Sequence, residues 1–199
     1  MNIIISYLKK YKIVSIIIVS IVFVTIYFVM TSQQEEKGST VDAPTEFGEG
    51  VGYNSITPGK STEAVVTEQL GEPLSINRMG SKKMLEYKSS SPSRMHQIIL
   101  ENSQVLFIKE IVSTNDNLEA QDLVQKYGNP TSKLYNIADP DSSFSLYVYG
   151  DKGLAYLGHE DGTLLEVWYF PPTTLGEFIN QWGQDYSTEK PIPVSDLSY

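Results

Sequence analysis

Cysteine is absent from this 199-residue chain. That absence excludes disulfides, thiolate metal sites, iron–sulfur clusters, a cysteine nucleophile and a lipid-modified cysteine. Histidine is scarce, with only His96 and His159, and neither lies in an H-x-x-x-H or H-E-x-x-H spacing. No metal site is therefore expected. Basic residues are outnumbered, 15 against 24 acids, giving a net charge of −9. Phosphates reward basic surfaces, so nucleic acid is not an expected partner. No G-x-S-x-G elbow is present. Adjacent carboxylates such as Glu35-Glu36 and Glu160-Asp161 do not face one another across a cleft as glycosidic chemistry requires. Asp139-Pro140-Asp141 lacks the spaced acids and glycine of a calcium loop and reads as a turn. The expectation is a protein without catalytic residues, metal or cofactor.

What is present is an uneven distribution of charge. Residues 1–12 carry Lys9, Lys10 and Lys12 and no acid, and Ile13 to Met30 carry no charge at all. As a helix, this uncharged run of mostly Ile, Val and Phe would reach about 27 Å, close to the hydrocarbon thickness of a bilayer. Its β-branched residues are poor helix formers in water, but lipid forces the backbone to satisfy itself internally. The run is long for a signal peptide, and its exit, Tyr27-Phe28-Val29-Met30-Thr31-Ser32, offers no small-residue cleavage pattern. A retained single-pass anchor over 13–30 is expected. The preceding lysines place residues 1–12 in the cytoplasm and the remainder outside it. Residues 31–54, rich in Gln, Glu, Gly, Ser and Thr, read as a flexible tether. Gly48, Gly50 and Gly52 lie within it and lack the strand and lysine of a phosphate loop.

Beyond the tether the sequence repeats itself. Residues 61–73 (STEAVVTEQLGEP) match residues 118–130 (LEAQDLVQKYGNP). Each predicts a short helix. In the first, Ser61 caps the start, Glu63 complements the dipole, and Val66 and Leu70 share a face. In the second, Asn117 or Asp116 caps, Glu119 complements the dipole, and Leu123 and Tyr127 take the matching turn. Gly71 and Gly128 terminate the helices in a left-handed conformation, and Pro73 and Pro130 prevent their continuation. Strands are predicted at 83–88, 95–100 and 104–112 after the first helix, and at 132–137, 144–149, 153–157 and 163–170 after the second. Turns fall at Glu101-Asn102-Ser103, Gly150–Gly153 and Glu160-Asp161-Gly162. A last amphipathic helix is predicted over Thr174 to Tyr186.

The expected fold class is α+β: a transmembrane helix followed by two helix-plus-antiparallel-sheet repeats, 55–113 and 114–172, then a C-terminal helix and tail over 173–199. Each repeat alone is marginal as a core, and packing the two together would bury both.

The run Ile56 to Pro73 (ITPGKSTEAVVTEQLGEP), followed by Leu85-Glu86-Tyr87, resembles the SmpA/OmlA (BamE-like) domain. The doubled arrangement is similar to the β-lactamase-inhibitor-protein fold. The resemblance implies an extracytoplasmic, envelope-associated, non-catalytic domain that binds other proteins. The chain has no cysteine for the lipid anchor of the outer-membrane members.

Aromatic residues crowd the second half, and Tyr147, Tyr149, Tyr156, Trp168 and Trp182 are the candidate binding residues. Along a strand Tyr147 and Tyr149 share a face, and Trp168 faces away from Tyr169. Exposed Tyr and Trp would offer rigid contact area for a partner; buried, they would fill the space between sheet and last helix. The functional expectation is a membrane-anchored, extracytoplasmic, non-catalytic module. Its partners would be the membrane, through 13–30, and an envelope or extracytoplasmic protein. The alternative is a small-ligand or glycan sensor. Protease treatment of sealed membrane vesicles checks the orientation: a C-terminal tag should be cleaved only from the face opposite the cytoplasm, and protection there overturns it.

Overall fold

A computed structural model describes residues 50–192. The anchor expected over 13–30 and most of the tether lie outside the described residues. Among the described residues no helix is long and apolar enough to cross a membrane.

Strands dominate. A first short helix, α1 (Glu63–Leu70), precedes β1 (Ser75–Met79), β2 (Lys82–Lys88), β3 (Met95–Glu101) and β4 (Gln104–Ile111). A second, α2 (Ala120–Tyr127), precedes β5 (Ser132–Asn136), β6 (Phe144–Tyr149), β7 (Leu154–His159) and β8 (Leu164–Tyr169). Then come α3 (Leu175–Gln181) and the two-residue β9 (Tyr186–Ser187). All nine strands form one antiparallel sheet in the order β1-β2-β3-β4-β8-β7-β6-β5-β9.

This corrects the expected α+β domain of two helix-plus-sheet repeats. The helices are two turns each, and the sheet is continuous across the middle of the molecule. There β4 pairs with β8 through Ile108↔Tyr169, Lys109↔Trp168, Glu110↔Val167 and Ile111↔Glu166. The apolar clusters accordingly divide by face of the sheet, not by half of the chain. On one face, Val66 of α1 and Leu123 of α2 join Leu85, Ile98, Ile108, Tyr149, Tyr156 and Val167. On the other, Phe178 of α3 packs with Phe107, Leu134, Leu146, Val148, Trp168 and Phe170.

Two β-bulges make this two-faced pattern possible. In β4, Leu106 is the extra residue between the pairs Leu100↔Val105 and Ile99↔Phe107. In β8, Leu165 is the extra residue between Gly158↔Leu164 and Leu157↔Glu166. An extra residue shifts the two-residue side-chain period by one. Val105 and Ile108 therefore face the same core although three positions apart, and so do Leu164 and Val167.

The helix ends differ in detail from expectation. Thr62 is the N-cap of α1, and the Ser61 hydroxyl instead accepts the Thr57 N–H at 2.9 Å. Glu119 starts α2 in a capping box with Asp122, whereas Asp116 closes a separate 3-10 turn, Thr114–Asp116, with Ser113. Gly71 and Gly128 do terminate the helices at positive φ, 76° and 83°, but with ψ of −160° and −171°. That extended mirror region is open essentially to glycine alone and turns the chain directly into the next strand. Each glycine carbonyl accepts from a buried tyrosine of the following meander: Tyr87 hydroxyl to Gly71 at 3.2 Å, and Tyr149 hydroxyl to Gly128 at 2.9 Å.

The last helix stops at Gln181 instead of Tyr186. Its Thr174–Glu177 capping box fixes the start, and β9 draws Tyr186 and Ser187 into pairing with Asn136 and Tyr135. Residues 51–53, expected within the tether, already belong to the domain: Val51 donates to the Lys152 carbonyl, and Tyr53 bridges to Ile56.

The tyrosine–glycine bonds yield a prediction. Tyr149→Phe and Tyr87→Phe should each lower unfolding free energy by about 1 kcal/mol, the usual worth of one hydrogen bond. Tyr135→Phe, whose hydroxyl makes no hydrogen bond among the described residues, should change little. Urea titrations followed by tryptophan fluorescence measure all three.

Candidate functional site

The five aromatic candidates do not share a surface. Tyr149 and Tyr156 are buried under α1 and α2, with half-buried Tyr147 stacked on Tyr156 at 4.8 Å between ring centroids. Burial raises the Tyr149 hydroxyl pKa and pushes that of Tyr156 up to about 12. Trp168 is buried on the α3 face, and half-buried Trp182 stacks on Phe107 at 4.6 Å. Lys82 lies over the Trp182 ring and Lys109 over that of Trp168, at 5.1 and 4.9 Å. These aromatics join the layers of the domain.

Sequence reading missed two polar clusters, one on each face of the β4–β8 seam. On the α3 face the Glu166 carboxylate is buried. It accepts from the Arg94 guanidinium and, at 2.5 Å, from Trp168 Nε1, with Lys109 Nζ at 3.8 Å. A signal for it existed, because Glu166 is in phase with Trp168 and Phe170 on a core-facing row. On the opposite face Glu110 accepts from the Tyr169 hydroxyl at 2.6 Å. Desolvation raises the Glu110 pKa, with Asp116 adding to the rise and the Tyr169 bond opposing it. Beside it, Tyr53 lies 5.4 Å from the His96 ring and 6.2 Å from that of Tyr169.

The groups around Glu110 are joined to the backbone and to one another by hydrogen bonds. His96 Nδ1 accepts the Ile111 backbone N–H at 3.0 Å, and burial lowers its pKa, so this nitrogen is already occupied. Asp116 is held by Ser90 at 2.5 Å and by the Ser113 N–H at 2.7 Å. The Ser90 bond is the largest cause of its lowered pKa. The second histidine, His159, ends β7 and accepts the Asp161 N–H at 3.1 Å across the β7–β8 turn. Among the described residues no three ligating side chains converge as a metal would need. An open groove of about 290 Å³ separates the Ser113–Glu119 segment from the Asp161–Leu164 turn. Its walls are joined by the bond from Ala120 N to Gly162 O at 3.2 Å.

Among the described residues, the edge of the sheet at β1 is left without a structural partner. This strand pairs with β2 on one side only. Ile76 stands opposite Leu85, Leu85 opposite Ile98, Ile98 opposite Ile108, and Ile108 opposite Tyr169. Along that apolar row exposure is 8% at Tyr169, 0% at Ile108 and Ile98, 1% at Leu85, and then 53% at Ile76. The core row thus runs out to the edge and stops there without cover from the described residues. Leu74 and Met79, at the two ends of β1, are also exposed. A free edge offers backbone donors and acceptors to another strand, and native proteins commonly guard it with charge or cover. Here the only charged residue of β1 is Arg78. Sequence reading passed over β1 because SINRM contains Asn and Arg and shows no apolar alternation. The signal that existed was Gly80-Ser81, a turn immediately before the strongly patterned β2.

By sequence, no family model matches this chain and no curated protein does so. Two solved structures share partial likeness. A DUF4309 family protein of Bacillus subtilis is 16% identical, with 58% of this chain and 82% of that one covered, at a TM-score of 0.39. A cysteine-rich secretory protein of Staphylococcus aureus is 12% identical, with 72% and 59% covered, at a TM-score of 0.38. Neither is described as an SmpA/OmlA protein.

The Glu110 environment gives a pH prediction. Its raised carboxyl pKa means that the folded state holds a proton the unfolded chain releases. The stabilisation from this proton is full below the unfolded pKa of about 4.3 and is lost as pH rises through the folded value. Glu110→Gln, which keeps an acceptor for Tyr169, should raise the urea midpoint at pH 7 by a few tenths molar and leave it nearly unchanged at pH 4. A midpoint difference that is the same at both pH values overturns this.

Proposed function

We propose that this chain is a membrane-tethered, extracytoplasmic, non-catalytic module that binds polypeptide at the β1 edge. The observation that carries the reading is the apolar row Tyr169–Ile108–Ile98–Leu85–Ile76, buried as far as Leu85 and, among the described residues, uncovered at Ile76. An added strand would satisfy the outer backbone groups of β1, and its side chains would cover Ile76 and Leu74. The tether and orientation rest on the uncharged run 13–30 behind three lysines. The SmpA/OmlA-like stretch Ile56–Pro73 is a local likeness that agrees with a protein-binding role.

The alternative of a glycan or small-ligand sensor finds no comparable observation, because Tyr149, Tyr156 and Trp168 are spent in packing. The test is site-specific photocrosslinking in intact cells. A photoreactive residue replacing Ile76 in the full chain should give polypeptide adducts. The same residue replacing Asn180, exposed on α3, should not. If position 76 gives no polypeptide adduct above the position 180 background, the reading fails.

A further inference from the structure

Resting on that reading of the edge, we propose that the strand completing the sheet is β1 of a second copy of this chain, paired antiparallel about a two-fold axis through Ile76.

The argument is the self-complementarity of the edge. With Ile76 opposite the partner's Ile76, the α1 face of the junction places Ile76 on Ile76 and Leu74 on Arg78. The other face places Ser75 on Asn77. Apolar side chains then meet apolar side chains or the aliphatic stem of an arginine, and polar meets polar. The row Tyr169–Ile108–Ile98–Leu85–Ile76 continues without a break into the same row of the partner. The neighbouring register, centred on Asn77, sets Ile76 against Arg78 and separates the two isoleucines. A foreign strand would have to supply the apolar residue at the right position, whereas a second copy supplies it by symmetry.

Charge permits the arrangement. Arg78 of each copy lies four positions along the strand from Arg78 of the other, about 14 Å at ~3.4 Å per residue. That exceeds the Debye length of about 8 Å at physiological ionic strength. Each Arg78 also comes beside Leu74 of the other copy, two residues after Glu72. Among the described residues neither Arg78 nor Glu72 is in an ion pair.

The pairing is closed. It uses the same β1 edge of both copies about a two-fold axis, so that edge is consumed and a dimer and not a fibre results. The junction is five residues long, which makes for a weak dimer in dilute solution. Confinement of both copies to one membrane would raise their effective concentration.

The experiment uses the full chain in mild detergent. Sedimentation velocity should show a dimer whose share grows with protein concentration. Ile76→Lys should reduce that share at least tenfold without shifting the thermal midpoint, because the side chain is largely solvent-exposed. The chain has no native cysteine, so single-cysteine variants give an unambiguous second measurement. Under mild oxidation Ile76→Cys should form a chain-to-chain disulfide at least ten times faster than Asn180→Cys. Two results overturn the proposal: a wild-type chain that stays monomeric at every concentration, or an Ile76→Lys variant that dimerises like wild type. Adducts from position 76 to a different polypeptide, with none between copies, would also overturn it while leaving the edge reading intact. Absence of every polypeptide adduct would remove both.

Discussion

The antiparallel seam between β4 and β8 is the constraint on which the rest of the structure depends. Four registered pairs join two meanders that would otherwise each expose a central edge. Both faces of the seam are buried: Ile108 and Val167 are fully enclosed on one face, and Phe107, Trp168 and Phe170 pack on the other. The seam also organises the polar interior. Glu110 from β4 meets the Tyr169 hydroxyl from β8 on the helix-pair face, and Glu166 from β8 is approached by Lys109 from β4 on the α3 face. Buried Glu166 and half-buried Glu110 thus each have a partner on the strand across the seam. Slipping the register by one residue would separate Glu110 from the Tyr169 hydroxyl and Glu166 from Lys109, at about 1 kcal/mol for the lost hydrogen bond. The polar pairs therefore fix the register that the apolar pairs alone would leave less defined.

The twin bulges at Leu106 and Leu165 lie on the two strands that form the seam. A regular strand of eight residues would present one alternating set of side chains to each core. The inserted residue lets β4 give Val105 and Ile108 to one core and Phe107 to the other. Bulges also increase local twist, which suits a sheet that must wrap α1 and α2 on one side and α3 on the other.

A sheet that is long and open keeps its edges. One edge is β5, of which β9, drawn in after α3, covers Tyr135 and Asn136. The other ends in β1, whose apolar row has no cover among the described residues. The aromatic residues, abundant in the second half, contribute to internal layers. The small, weakly patterned strand at the far edge of the first half is the one whose outer side is unpaired among the described residues.

Local elements were legible in the sequence wherever the physical cause is local. The two short helices follow from acid-led starts and from Gly-x-Pro ends, and all seven expected strands lie within two residues of their place because their apolar alternation is strong. The largest departure is at 153–157, which starts one residue late and runs two further, to His159. Tyr147 and Tyr149 on one side, and Trp168 and Tyr169 on opposite sides, follow from the two-residue period alone. Tertiary structure decided which halves of the chain share a sheet, because the β4–β8 register depends on residues more than fifty positions apart. It decided that Tyr149, Tyr156 and Trp168 are enclosed, since burial depends on what packs above a strand and not on its own pattern. It also created β1 and β9 from segments with little intrinsic strand signal, held by neighbours whose ladders extend over them. Sequence determines which residues can face together, whereas only the assembled sheet determines which of those faces, and which edge, meets solvent.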